Sequence, residues 1–206
     1  MSWQYDQRPG GTPPRQETAK ETPPRPSEAA PTSPQQASDG AWLPVPYPQP
    51  LFACPNTGCA RMLHNAYAGE NGEFSAIARY FYQSVTLQST APEASRLLHQ
   101  IALVEMKHLQ MLGQCIAGLG GSPTFAGSRG GAAVWWSGAW VPRGGDLKLQ
   151  LLQDIESEQA AVRAYRQLTG QIPLSDLQAL LCRIVMDEEH HIELFSQLLR
   201  RHCGCR

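Results

Sequence analysis

Two short motifs, Glu105-x-x-His108 and Glu188-x-x-His191, restrict what this chain can fold into more than any other feature. Residues three apart on a helix point the same way, and each pair lies on an apolar stripe. The first stripe is Leu98, Ile101, Leu112, Cys115 and Leu119; the second is Leu177, Leu181, Ile184, Phe195 and Leu198. Steps of three and four mark the core face of a helix, so both carboxylates and both imidazoles are predicted to point inward. Charge is tolerated there only with a partner or a metal. A single pair would carry little weight, because a chain with 12 Glu and 6 His is expected to hold less than one by chance. An exposed charge pair would explain it equally well. Two pairs, each on a seam, need a common explanation.

The rest of the chain supplies the partners. A first helix is predicted to begin between Ala60 and Glu73 and to run to about Leu87, with the seam Ala66, Gly69, Glu73, Ile77, Tyr80, Ser84, Leu87. Gly69 and Gly72 weaken its early part. Pro92 suits the first turn of a second helix, which continues through Leu119 and stops at Gly120 and Gly121. Asp146 is a plausible N-cap for a third helix whose seam is Leu151, Ile155, Glu158, Val162, Tyr165, with Glu156 off the stripe. Ser175 is a good N-cap for a fourth, running to about Arg201. Residues Gly121 to Gly145 form a Gly-rich link long enough to run the length of a bundle, and Trp135, Trp136 and Trp140 are expected to pack it onto the helices.

Antiparallel helices bring level those residues that are equidistant from their turn. Glu73 and the 105/108 pair are centred near residue 90, beside Pro92; Glu158 and the 188/191 pair are centred near 174, beside Pro173. Each hairpin thus offers one Glu from its first helix and a Glu-x-x-His from its second. Face to face, the two halves place Glu73, Glu105, His108, Glu158, Glu188 and His191 in one core. Four buried anions demand compensation, and two divalent cations provide it. Mixed oxygen and imidazole ligands suit iron or manganese better than structural zinc, which favours closed tetrahedral sets often containing Cys.

The segments Asn71-Gly72-Glu73-Phe74-Ser75-Ala76-Ile77-Ala78-Arg79-Tyr80-Phe81, Glu105-Met106-Lys107-His108 and Asp187-Glu188-Glu189-His190-His191 resemble the metal-binding segments of bacterioferritins. The similarity extends to rubrerythrins and manganese catalases, and covers about residues 60 to 200. The resemblance is to the ferritin-like di-metal carboxylate superfamily, and it implies an all-α, ferritin-like four-helix bundle with a long crossover between helices 2 and 3. It further implies two Fe or two Mn ions, with Glu73 and Glu158 as terminal ligands, Glu105 and Glu188 as bridges and His108 and His191 as nitrogen ligands. Met106 stands where bacterioferritins carry a haem-ligating Met, and is expected only to pack outside the core. Asp187 fits an orienting role toward a metal-bound imidazole, whereas Val104 breaks that pattern, so one His must be held otherwise. Tyr80 and Tyr165 are read as core tyrosines, the alternative being hydrogen-bond donors or electron sources near the metals. The paired Cys knuckles of classical rubrerythrins are absent, which leaves electron delivery to a separate donor.

Composition bounds the remainder. Residues 1–50 hold 12 of the 17 prolines, and the first 40 contain no Leu, Ile, Val or Phe. That stretch is expected to be a disordered Pro-rich tail ahead of a bundle spanning 51–206. Trp42, Tyr47, Leu51 and Phe52 mark where the chain first touches the folded body. A net charge of −1 offers no pull toward nucleic acid or membrane, and no apolar run reaches the length of a membrane span. The six cysteines are expected to be free thiols, in keeping with a cytoplasmic protein. His64, His99 and His202 have no partner at ligand spacing, and His190 and Glu189 leave the seam and are read as surface groups. The expected activity is reduction or dismutation of hydrogen peroxide, or reaction with dioxygen, in a homo-oligomer. An iron-oxidising storage subunit, or a non-enzymatic coat protein with a structural metal staple, is the alternative.

Overall fold

The computed structural model describes residues 40–203, apart from the Cys203 side chain. The bundle's first rod is interrupted. Instead of one helix ending near Leu87, the chain forms α1 (Thr57–Ala68) and α2 (Glu73–Thr86). Asn56 caps α1 by accepting from Cys59 N at 3.0 Å, and its own N–H donates to Leu119 O at 2.9 Å. Between the two helices the backbone turns back on itself: a Cβ at Gly72 would meet Asn65 O at 2.5 Å and Ala66 O at 2.6 Å. Only glycine allows that approach. Gly72→Ala is therefore expected to destabilise the protein by about 1–3 kcal/mol, measurable as a lower urea midpoint with unchanged slope.

α3 (Pro92–Gly118) starts on Pro92 and ends in a turn where Gly120, at φ +80°, donates to Ala117 O and Gly121 donates to Ile116 O. This is the glycine-terminated geometry expected from the sequence. α4 (Leu147–Gln171) begins with Asp146 accepting from Leu149 N at 2.8 Å, again as expected. α5 (Ser175–Cys203) differs in detail: Ser175 is its first helical residue, and its hydroxyl contacts Asp176 rather than capping the backbone. Every residue of the two doubled stripes is buried. On the first rod Glu73, Tyr80, Ser84 and Leu87 are buried, but Ile77 is only half-buried.

The crossover is not an irregular link. It contains an antiparallel hairpin of β1 (Ala126–Arg129) and β2 (Ala132–Trp135), closed by Gly130 and Gly131, both at positive φ, as a two-residue hairpin turn requires. Asn65 Oδ1 accepts from Ser128 N at 2.6 Å, and Trp136 Nε1 donates to Ser75 Oγ at 3.0 Å. Trp136 also packs on Phe74, with ring centroids 4.7 Å apart. Trp135 departs from the expected packing: it is 68% exposed, although its cross-strand partner Ala126 is buried. Trp140 follows in a single 3-10 turn (Gly138–Trp140) and is half-buried.

The core falls into two apolar clusters. Leu63, Leu112, Ile116, Leu177 and Ile184 belong to one; Leu87, Leu98, Ile101, Leu151, Phe195 and Leu198 belong to the other. α3 ends in the first cluster and α4 starts in the second, so the crossover does run along the bundle. Along α3, α4 and α5 the Glu and His residues occur between the stretches that feed the two clusters, which places a polar layer at mid-height. Residues 40–50, assigned above to the tail, make contacts of their own. Ala41 is fully buried, and Arg183 donates to Val45 O and Leu43 O at 3.0 and 3.2 Å. The remainder of the expected tail, with Trp3 and Tyr5, lies outside the described residues, as do Gly204, Cys205 and Arg206. No helix among the described residues is long and apolar enough to cross a membrane.

Candidate metal centre

The polar layer gathers all six residues named from the sequence. Glu73 comes from α2, Glu105 and His108 from α3, Glu158 from α4, and Glu188 and His191 from α5; each is at most 4% exposed. His108 Nδ1 lies 3.0 Å from Glu105 Oε2, 3.2 Å from Glu188 Oε1 and 3.9 Å from Glu73 Oε1. His191 Nδ1 lies 3.0 Å from Glu105 Oε1, 3.3 Å from Glu188 Oε2 and 3.9 Å from Glu158 Oε1. Glu105 and Glu188 thus turn one oxygen toward each imidazole, while Glu73 and Glu158 each serve one side. The two imidazole centroids are 6.4 Å apart.

The electrostatics show how much positive charge this layer requires. Burial holds the Glu73 and Glu158 carboxyls well above the ordinary range, and the Glu105 and Glu188 charges push them further. Glu105 moves the opposite way: burial would raise it, but the His191 charge and a hydrogen bond from His108 hold it well below. Burial also disfavours protonated imidazoles, yet the surrounding carboxylates raise His108 well above its usual value and His191 to about 10. Protons here supply the positive charge that divalent ions would otherwise bring. Compensation is incomplete, since Glu105 Oε1 and both Glu188 oxygens receive no hydrogen bond among the described residues. Glu73, Glu105, His108 and Glu188 each offer one ligand atom within 4.8 Å of the others, and so do Glu105, Glu158, Glu188 and His191.

Tyr80 and Tyr165, read above as plain core residues, touch the cluster. The Tyr80 hydroxyl donates to Glu158 Oε1 at 2.5 Å, and the Tyr165 hydroxyl donates to Glu73 Oε1. Each tyrosine stands seven residues beyond the Glu of its own helix and bonds the Glu of the other, a two-fold exchange that matches the two halves of the chain. A cavity of about 310 Å³ reaches the four carboxylates, with Gly69, Ala161 and Ala164 in its wall; Trp140 and the exposed Arg129–Glu70 ion pair also line it.

The comparisons with known proteins agree with this geometry. The sequence profile for manganese containing catalase matches residues 47–129. A probable manganese catalase of Clostridium acetobutylicum is 25% identical over 167 aligned residues, covering 71% of this chain and 72% of that protein. A manganese catalase of Anabaena superposes with a TM-score of 0.67 at 24% identity, covering 73% of this chain and 74% of the other. The Desulfovibrio desulfuricans bacterioferritin, described with a diiron site, superposes with a TM-score of 0.60 at 23% identity, covering 71% and 82%. These likenesses show that the chain shares its fold with a manganese catalase and a bacterioferritin.

Three features of this site escaped the sequence reading. Tyr47 donates to Asp187 Oδ2 at 2.6 Å, and Arg183 both pairs with Asp187 Oδ1 at 2.8 Å and stacks 4.4 Å over the Tyr47 ring. Asp154, fully buried on α4, accepts from Gln83 at 3.1 Å, and burial lifts it to about 7. Its place one turn before Glu158 was a usable signal; Tyr47 was legible as a residue touching the folded body, but nothing pointed to its partner 140 residues away. His64 contacts Ala126 O, His190 contacts Gly40 O and His202 pairs with Glu93, all away from the cluster. Met106 is exposed, and Cys54, Cys59, Cys115 and Cys182 are free thiols.

Proposed function

We propose that the chain binds two manganese ions between Glu73, Glu105, His108, Glu158, Glu188 and His191 and dismutates hydrogen peroxide to water and dioxygen. The observation that carries this reading is the shared pair, Glu105 and Glu188, each aiming one oxygen at either imidazole. The donor set fits two divalent ions: four carboxylates balance a charge of +4, no thiol is present, and three carboxylate oxygens stand without a hydrogen bond. On this reading Glu73 and His108 complete one site, and Glu158 and His191 the other.

When bound, two such ions supply a two-electron couple, so two molecules of H2O2 become two of H2O and one of O2 with no outside reductant. The chain's own residues bind and orient. Tyr165 and Tyr80 hold the carboxylates of Glu73 and Glu158, and these raised carboxyls release their protons as ions enter. The cavity that reaches the four carboxylates gives a small molecule such as peroxide a way to the centre. Manganese is favoured over iron because the matching family model and the Clostridium acetobutylicum relative both carry manganese in their names. The exposed Phe81 and Val85 on α2, with Leu103 and Met106 on α3, support the expected homo-oligomer.

The test is to strip the full-length protein with chelator, reload it with Mn2+ or Fe2+, and follow peroxide and dioxygen together. About two Mn per chain and one O2 released per two H2O2, with no added donor, are expected. Full Mn occupancy without turnover would make the centre a structural staple. Dioxygen uptake with Fe2+ alone would make it an iron oxidase.

A further inference from the structure

The two halves of the site match in their inner atoms and differ in their outer ones. Beyond His108, Asp187 Oδ2 stands 3.0 Å from Nε2. That carboxylate is itself held by the Tyr47 hydroxyl and by Arg183 at Oδ1, and Arg183 is held in turn by the Val45 and Leu43 carbonyls. With its proton on Nε2, the His108 ring presents the Nδ1 lone pair inward. The equivalent position on α3, one residue before Glu105, is the buried Val104, and the counterpart of Arg183 is the exposed Gln100. His191 Nε2 has no hydrogen-bond partner among the described residues, although the ring is fully buried. A carboxylate behind a ligating imidazole fixes its tautomer and orientation and raises its basicity, and losing one costs about 10–100-fold in metal affinity.

We propose, resting on the ligation reading above, that the centre holds its two ions unequally: the ion beside His108 is the retained one and the ion beside His191 is the exchangeable one. Tyr47, carried by the segment ahead of α1, is a positioning residue for the retained ion. It acts through Asp187 and touches no ion itself. The segment that the sequence places in a solvated tail thereby becomes part of the centre's affinity.

The experiment adds Mn2+ stepwise to chelator-stripped full-length protein and reads bound ion by calorimetry and by loss of the free Mn2+ spin signal. Two steps are expected, about 10–100-fold apart. Crystals grown at one Mn per chain should place the anomalous peak beside His108. Repulsion between two ions would split the steps even in a symmetric centre, so variants decide the assignment. If the sites are unequal, Asp187→Asn weakens the first step and narrows the gap. If repulsion alone split them, the same change would leave the first step to the other site and widen the gap, overturning the proposal. Tyr47→Phe keeps the ring under Arg183 and should narrow the gap by a smaller factor. Val104→Asp should strengthen the second step, and if that variant does not fold, Tyr47→Phe and Asp187→Asn still settle the question. An anomalous peak beside His191, or equal peaks, would overturn the proposal. Binding of no Mn2+ by the wild type would overturn the ligation itself, and this inference with it.

Discussion

Glu105→Ala is expected to abolish metal binding at both sites together and to lower peroxide consumption by at least about 10²-fold. The reason is geometric. Glu105 Oε2 and Oε1 lie 3.0 Å from the imidazoles of His108 and His191 respectively, so one substitution removes a donor from each half. Glu73 or Glu158, each facing one imidazole, offers no such double loss. Elemental analysis and oxygen release measured on the same sample check the expectation, with circular dichroism to establish that the helices persist. Glu156→Ala is the control: Glu156 is exposed on α4, two residues from Glu158, and should leave both quantities unchanged. Retention of one ion per chain by Glu105→Ala would mean that Glu105 does not bridge.

The second large effect concerns the protein stripped of ions, which is expected to lose stability as pH rises. Glu73 and Glu158 are held well above 4.5 when folded, chiefly by burial, so between 4.5 and that raised value the native state binds more protons than the unfolded chain. Stability falls across that interval. His191 acts in the same direction: its contribution is fully present below 6.5 and is lost as pH climbs through about 10. Asp154, lifted from 3.8 to about 7, adds to the trend. Glu105 has the opposite dependence, but its contribution fades only as pH drops below 4.5, outside this range. Melting of stripped protein at pH 5, 7 and 9 should show a fall on the order of 10 °C. Loading with Mn2+ should reverse the slope, because ligands must shed protons to bind and affinity therefore rises with pH. A stripped protein equally stable at pH 5 and 9 would mean that these carboxyls are not desolvated as described.

Much of the bundle could be read from one dimension because its logic is periodic. Leu98 to Leu119 and Leu177 to Leu198 step by threes and fours along helices that bury one face, and such a rule needs no knowledge of neighbours. The pairing of Glu73 with the 105/108 motif, and of Glu158 with the 188/191 motif, followed from distance to a turn, which is also a local property of an antiparallel hairpin. What resisted was aperiodic. The interruption at residues 69–72 arises from a backbone approach that only Gly72 permits, and Gly69 and Gly72 looked like weak helix rather than a break. The hairpin at 126–135 was missed because it is short and Gly-rich, and because it is held by single contacts such as Ser128 to Asn65.

The sequence by itself determined the helices, their inward faces and the six side chains that meet at mid-height, since helical pitch and hairpin symmetry are set along the chain. Only the tertiary structure decided that Tyr80 and Tyr165 reach across to each other's carboxylates, that residues 40–47 close over Arg183, and that Asp187 steadies one imidazole while Val104 leaves the other free. Those contacts join residues up to 140 positions apart through single side-chain atoms. No local propensity or repeat encodes such a meeting; it exists only once the four rods have packed.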